Sequence, residues 1–224
     1  MPAYNEEANL TKAVKNYEGA VRGTFEDYEL MIFDDCSSDR TGEIADELAG
    51  KNKRVRVVHN SRNMGLGYNF KRGAELSERE YYILLPGEGE VLGSSIRKVL
   101  SHMGEADLII TYVGNSEVRQ LSRRILSGSF TVLLNVLFGY NLRYYNGPVL
   151  YKTGMLKNIR MTTNSFAYQA EVLIRLFKKG YSYKEVPFYI EKTEGTTSFR
   201  VKNIIGILFT VIGLFFEVKI LRKG

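Results

Sequence analysis

Carboxylates stand in two places where they could work together. Asp34 and Asp35 close the apolar run Tyr28–Phe33, and Glu88 and Glu90 lie two residues apart in Pro86-Gly87-Glu88-Gly89-Glu90. A carboxylate at a strand end accepts hydrogen bonds from ring N–H groups of a nucleotide base. Two carboxylates on a glycine-rich turn can hold Mg²⁺ or Mn²⁺ against a diphosphate. A second group is basic: Arg123 and Arg124, with Ser127 one turn on, then Arg200 and Lys202 after Thr196-Thr197-Ser198. The guanidinium fork matches phosphate geometry. Glu171, in Phe166-Ala167-Tyr168-Gln169-Ala170-Glu171, is the candidate general base should a hydroxyl have to be deprotonated. A phosphate nucleophile is already ionised near neutral pH and needs no strong base.

The elements that must position these residues follow from periodicity. Ala8, Leu10, Ala13, Val14, Tyr17 and Val21 recur at helical spacing and predict a helix over 6–22. Tyr28–Phe33 reads as a buried strand. Residues 39–50 predict a helix with Asp39 as N-cap and Gly50 at its end. Further strands are expected at 54–59, 81–85 and 107–113, and helices at 66–76, 93–103 and 164–180. Strands alternating with helices mean an α/β domain with a mostly parallel sheet flanked by helices. Ligands of such sheets bind beyond the carboxyl ends of the strands. Asp34 and Asp35, Asn60–Gly67 and Gly87–Glu90 all fall there.

The 224 residues suit one domain, and no linker, repeat or low-complexity tract divides them. One cysteine, Cys36, excludes an intrachain disulfide. His59 and His102 are far apart, without metal-ligand spacing, which argues against zinc. The net charge of +6 is uneven: residues 1–174 carry 21 basic and 21 acidic side chains, and residues 175–224 carry 10 and 4. The first 50 residues carry 4 basic and 12 acidic. An acidic front and a basic tail suit phosphates or an anionic surface. No signal peptide opens the chain, so a cytoplasmic location is the default.

Pro2-Ala3-Tyr4-Asn5-Glu6-Glu7, then Asp34-Asp35-Cys36-Ser37-Ser38-Asp39-Arg40-Thr41, then Asn63-Met64-Gly65-Leu66-Gly67, in this order and spacing, resemble the family-2 glycosyltransferases of GT-A fold. Within them the later pattern resembles the dolichyl-phosphate mannose or glucose synthase branch. The resemblance covers nearly the whole chain and implies a Rossmann-like nucleotide-sugar-binding sheet. It implies that Pro2, Tyr4 and Glu6 line the nucleotide pocket with Asp34, that Asp35 lies close to ribose or metal, and that Gly65 and Gly67 let the backbone approach the ligand. It implies an acceptor-phosphate grip at Arg123, Arg124 and Ser127, with Arg200 and Lys202 as a second. Glu88, Arg123, Arg200 and Glu171 are then the candidate catalytic residues. The Tyr144–Pro148 stretch falls where the family has a sugar-side loop, often with an aspartate that this sequence lacks.

The sequence departs from the family at the metal motif. Where Asp-x-Asp is usual, it has Pro86-Gly87-Glu88, with Glu90 at the following polar place. Glu88 is the expected ligand of Mg²⁺ or Mn²⁺, with Glu90 beside it. The chain also opens at the turn that would follow a first strand, so the sheet is expected to lack that strand.

The apolar run Ile204–Phe216 has 13 residues, too few for a span of ~20. With Glu217, Lys219, Arg222 and Lys223 beside it, the stretch 203–221 is expected to form an interfacial helix on the cytoplasmic face of a membrane, with Phe130–Phe138 in the same plane. The expected activity is inverting transfer of a hexose from a GDP- or UDP-sugar to a polyprenyl or dolichyl phosphate. The partners are the donor, the acceptor and the membrane surface, with no nucleic acid. The alternatives are a saccharide acceptor in glycan assembly, a catalytically silent nucleotide-sugar-binding subunit and, more weakly, a nucleotidyltransferase.

Overall fold

A computed structural model describes residues 1–25, 27–191 and 201–220 of the chain, without the side chains of 201–205, 208, 219 and 220. Three parallel strands form one hydrogen-bonded group: β1 (Pro2–Ala3), β2 (Leu30–Asp34) and β3 (Val55–His59), in the order β1-β2-β3. The second group has the order β4-β6-β5-β7, from β4 (Tyr81–Ile83), β5 (Leu108–Val113), β6 (Val149–Lys152) and β7 (Tyr183–Phe188). In it β6 runs antiparallel to both neighbours, while β5 and β7 are parallel. The two groups meet where the Gly87 N–H donates to the Pro2 carbonyl at 3.0 Å. Beside that contact a cavity of about 450 Å³ lies between Leu30–Phe33 and Tyr81–Leu85, walled by Tyr17, Val21, Ile96 and Leu100.

The helices are α1 (Leu10–Val21), α2 (Thr41–Lys51), α3 (Leu66–Leu76), α4 (Gly93–Leu100), α5 (Leu121–Phe138), α6 (Thr153–Lys157), α7 (Tyr168–Lys178) and α8 (Val201–Phe215), which continues as a π-helical turn, Phe216–Ile220. They cover both sheet faces, because successive strand side chains point to opposite sides. Leu108, Ile110, Val149 and Tyr151 face one core with Phe70 of α3, Leu134 of α5, Leu173 of α7 and Val211 and Leu214 of α8. Ile109, Leu150 and Val186 face the other, with Leu10 and Val14 of α1 and Ile96 and Val99 of α4.

The α/β architecture matches the sequence expectation, but β1, β6 and β7 were not foreseen: Pro2 and Ala3, expected in a turn after a missing strand, themselves pair in parallel with Phe33 and Asp34 of β2. In β6 the four residues Val149–Lys152 are too few for periodicity to separate strand from helix, and in β7 the run Tyr183–Phe188 is interrupted by Lys184, Glu185 and Pro187. Helix α1 starts at Leu10 rather than residue 6, since 4–9 form the turn over the sheet end. In α2 the capping position falls on Arg40 and the helix runs past Gly50 to Lys51. Asp39 still acts as a local acceptor, taking the Thr41 N–H at 2.9 Å and the Glu7 N–H at 3.2 Å.

Candidate active site

The carboxyl ends of β1, β2 and β3 form one laced edge. The turn after β1 bends through Asn5, at φ 55°, and the turn after β2 bends through Cys36, at φ 62°. Asn5 Oδ1 accepts the Ser38 N–H at 2.9 Å, and the Glu6 N–H donates to Thr41 Oγ1 at 2.7 Å. Pro2 sits within β1, Tyr4 projects from its end half exposed, and Glu6 lies on the turn. Burial raises the pKa of Glu6, against the lowering effect of the Asn9 amide.

Asp34 and Asp35 are both buried at the end of β2, and their carboxylates do different work. Asp34 Oδ1 accepts the Ser37 N–H at 3.0 Å, and Oδ2 lies 3.0 Å from His59 Nδ1. Burial alone would raise its pKa; hydrogen bonds from Ser37 and His59 outweigh that and hold it below the usual carboxylate range. Asp35 Oδ1 accepts from Asn60 Nδ2 at 2.7 Å and the Met64 N–H at 2.8 Å, and Oδ2 from the Gly65 N–H at 2.9 Å. Asp35 therefore builds the loop into α3.

Gly65 and Gly67 lie on that loop, and the close approach they permit is to the protein. Gly65 has φ +85°, and a Cβ on Gly67 would fall 2.7 Å from the Asn164 carbonyl carbon. Both glycines thus lie against the backbone of Asn164. The fold brings two distant loops together there, which local sequence cannot signal.

The turn carrying Glu88 and Glu90 rests on β1 and α1. Gly87 and Gly89 are needed, because a Cβ at the first would meet the Pro2 carbonyl at 2.7 Å, and the second has φ +70° over Ala13. Tyr17 Oη donates to the Pro86 carbonyl at 2.6 Å and anchors the turn. Burial, then the charges of Glu90 and Glu6, push the Glu88 pKa up to about 7, against the pull of Arg123. Glu90 Oε2 is buried without a hydrogen-bond partner among the described residues. Like charges gathered in a partly dry site, one oxygen unmatched, are a donor set that fits a divalent cation. Among the described residues no group of three or more acidic, histidine or cysteine side chains closes around such an ion. Two carboxylates would hold it, and substrate phosphate would complete its shell.

Glu88 and Glu90 line a cavity of about 400 Å³ with Arg119, Arg123 and Ser127. Arg119 precedes α5; its Nη1 donates to Tyr144 Oη at 2.9 Å and its guanidinium lies 5.4 Å from that ring. Its buried Nε has no partner among the described residues. Sequence reasoning gave Arg119 no role, because it lies before α5 in extended backbone, outside the helical repeat that carries Arg123. Opposite stand Phe166, Tyr168 and Gln169, and Gln169 Nε2 pins the Tyr144–Pro148 loop through the carbonyls of Tyr145, at 2.9 Å, and Gly147. Leu126, Phe130, Leu133 and Ile207 make an apolar wall.

Two expectations fail here. Arg124 is exposed and does not line the cavity, because successive helical residues turn by about 100° and only Arg123 faces inward. Glu171 is 1% exposed, away from the cavity. Its carboxylate accepts the Thr162 and Thr163 N–H groups at 2.9 Å and meets Arg175 at 3.0 Å, leaving nothing for a general base. Arg200 lies outside the described residues, as does the side chain of Lys202.

The model of glycosyl transferase family 2 matches residues 1–165. The polyprenol monophosphomannose synthase of Mycolicibacterium smegmatis is 29% identical, over 94% of this chain and 83% of that protein. The undecaprenyl-phosphate mannosyltransferase of Micrococcus luteus is 26% identical, over 92% and 88%. The fold matches glucosyl-3-phosphoglycerate synthase of Mycobacterium tuberculosis with a TM-score of 0.70 at 16% identity, over 96% of this chain and 77% of the other. That structure holds UDP; another of the same enzyme, with TM-score 0.69, 15% identity and coverage of 96% and 76%, holds Mn²⁺, UDP-glucose and phosphoglyceric acid.

Proposed function

The chain belongs to glycosyl transferase family 2 and is a glycosyltransferase of GT-A fold, and we propose that it moves a hexose from a GDP- or UDP-sugar to a polyprenyl phosphate at a membrane surface, with inversion. The observation that carries this reading is the cavity: carboxylates at one end, guanidinium groups of Arg119 and Arg123 beside them, and an apolar wall beyond. A sugar diphosphate with a cation, an acceptor phosphate and the start of an isoprenoid chain match those regions in turn. The names of the two mannosyltransferase relatives support the same acceptor.

Asp34 accepts from the base, and Asp35 holds the loop that closes over the ribose side. Glu88 and Glu90 would hold a divalent cation at the diphosphate end. Mg²⁺ or Mn²⁺ bound there would neutralise charge on the leaving nucleoside diphosphate. Arg119 and Arg123 hold the acceptor phosphate by two of its oxygens and aim a third at the anomeric carbon. That oxygen forms the new C–O bond from the face opposite the diphosphate, whose C–O bond breaks, so the configuration inverts. The nucleophile is an anion at neutral pH, so no proton must be removed. Glu171 has no place in the step, which disfavours a saccharide acceptor needing a base.

The membrane side is supported by helices α5 and α8. Leu121, Ile125, Val132 and Val136 are exposed along α5, and Phe209 and Ile212 along α8, with Phe216 on the turn that continues it. The two helices meet through Phe138 and Phe215, with ring centroids 6.2 Å apart. No helix among the described residues is long and apolar enough to cross a membrane. A paired apolar surface of this kind suits an interface. The deciding experiment is a donor screen with GDP- and UDP-sugars and polyprenyl phosphate in vesicles, followed by mass spectrometry. A glycosyl polyprenyl phosphate is expected; product only with free saccharide acceptors would overturn the reading.

A further inference from the structure

His59 ends β3 with its ring between two carboxylates. Nδ1 lies 3.0 Å from Asp34 Oδ2, and Nε2 lies 3.2 Å from Asp46 Oδ1 on α2. An ionised carboxylate only accepts, and a neutral imidazole carries a single N–H. One contact would then set lone pair against lone pair. The imidazolium, with two N–H groups, satisfies both. Gly42 of α2 leaves room for this arrangement, since a Cβ there would meet Asp34 Oδ2 at 2.9 Å and His59 Cε1 at 3.5 Å. Asp34 on β2 and Asp46 on α2 are the charged groups that face the ring; Glu43, one turn before Asp46, is paired with Arg40.

We propose that His59 is a positioning residue for the donor nucleotide: as an imidazolium it clamps Asp34 Oδ2, so that Oδ1 keeps the Ser37 N–H and a lone pair aimed at the base. The inference rests on the reading of Asp34 as the base acceptor. The clamp makes donor affinity depend on pH. The hydrogen bond to Asp34, then that to Asp46, raises the His59 pKa above its ordinary 6.5, against the lowering effect of burial. The imidazolium is therefore complete below that ordinary value and is lost as pH rises through the raised one. Its loss removes both the clamp and a positive charge close to an anionic donor.

The test is calorimetric titration of wild type, His59→Gln and Asp46→Asn with GDP-mannose and UDP-glucose in Mg²⁺, from about pH 5.5 to 8, with the same donors used for all three proteins so that any donor ionisation cancels. Glu88 titrates in the same range but is common to all three proteins, so the readout is the difference between profiles. Wild-type affinity for whichever donor binds is expected to fall about three- to tenfold more across the range than that of His59→Gln, whose amide donates to Asp34 at every pH. Asp46 is exposed, so Asp46→Asn leaves the fold alone. It should keep the low-pH affinity and move the fall to lower pH, because a carboxylate that held the proton is gone. Superimposable profiles for wild type and His59→Gln, with binding present, would overturn the inference and leave the donor reading standing. No binding of either donor at any pH would overturn the donor reading and this inference with it.

Discussion

Asp35 Oδ2 accepts the Gly65 N–H at 2.9 Å, across 30 residues of sequence. With Asn60 and the Met64 N–H on Oδ1, the carboxylate fixes the path from β3 into α3. Asp35→Asn turns one acceptor into a donor facing backbone N–H groups. It should lower stability by about 1–3 kcal/mol, read from the denaturant midpoint, because a buried N–H is left without its acceptor. A midpoint equal to wild type would show that the loop is held from elsewhere.

Asp34 ends β2 beside the turn through Cys36 and is the proposed base acceptor, whereas Asp35 is spent on the loop into α3. Asp34→Ala should weaken nucleoside-diphosphate binding by about 1–3 kcal/mol by calorimetry. An unchanged affinity would move base recognition away from the end of β2.

Glu88 sets a pH signature for the metal-free protein. Its pKa is raised in the fold, to about 7 from 4.5, so the folded state prefers the protonated form. The stability it contributes is complete below the unfolded value and is lost as pH rises from about 4.5 to about 7. With chelator present, Glu88→Gln should flatten that part of the stability profile; assayed with Mg²⁺ instead, the same variant should lose most turnover. Full turnover in Glu88→Gln would mean that Arg119 and Arg123 balance the leaving diphosphate by themselves.

Arg119 is expected to matter through its fork. Arg119→Lys keeps the charge but loses the second phosphate contact and the stack on Tyr144. It should raise the KM for polyprenyl phosphate about tenfold, the scale of one lost charge-assisted hydrogen bond, with little change in the donor KM. An effect confined to the donor KM would place Arg119 on the donor side.

The exposed faces of α5 and α8 should bind vesicles. Val136 is 77% exposed and Phe209 is 73% exposed, so a charge at either leaves the core alone. Val136→Asp with Phe209→Asp should lower co-sedimentation with anionic vesicles at least tenfold, since burying each apolar side chain is worth about 1.5–3 kcal/mol. Sedimentation equal to wild type would assign the two faces to another partner.

The sequence by itself determined the alternation of strands and helices, the class of fold and the positions of Asp34, Asp35, Glu88 and Glu90 at strand ends. These are local matters: apolar runs of five residues, helical spacing, and glycines around a turn. Tertiary structure decided which candidates meet. Arg119 reaches the cavity because the chain before α5 folds onto Tyr144, and Arg124 misses it because of helical rotation. Glu171 had the right chemistry for a base, yet packing closed Thr162, Thr163 and Arg175 around it. Gly67 packs against Asn164, 97 positions later in the numbering. His59 carried no motif at all; its two carboxylate neighbours come from a strand 25 residues earlier and a helix 13 residues earlier. Spacing reports neighbours along a chain. Which carboxylates remain available to bind depends on contacts between elements that only folding brings together.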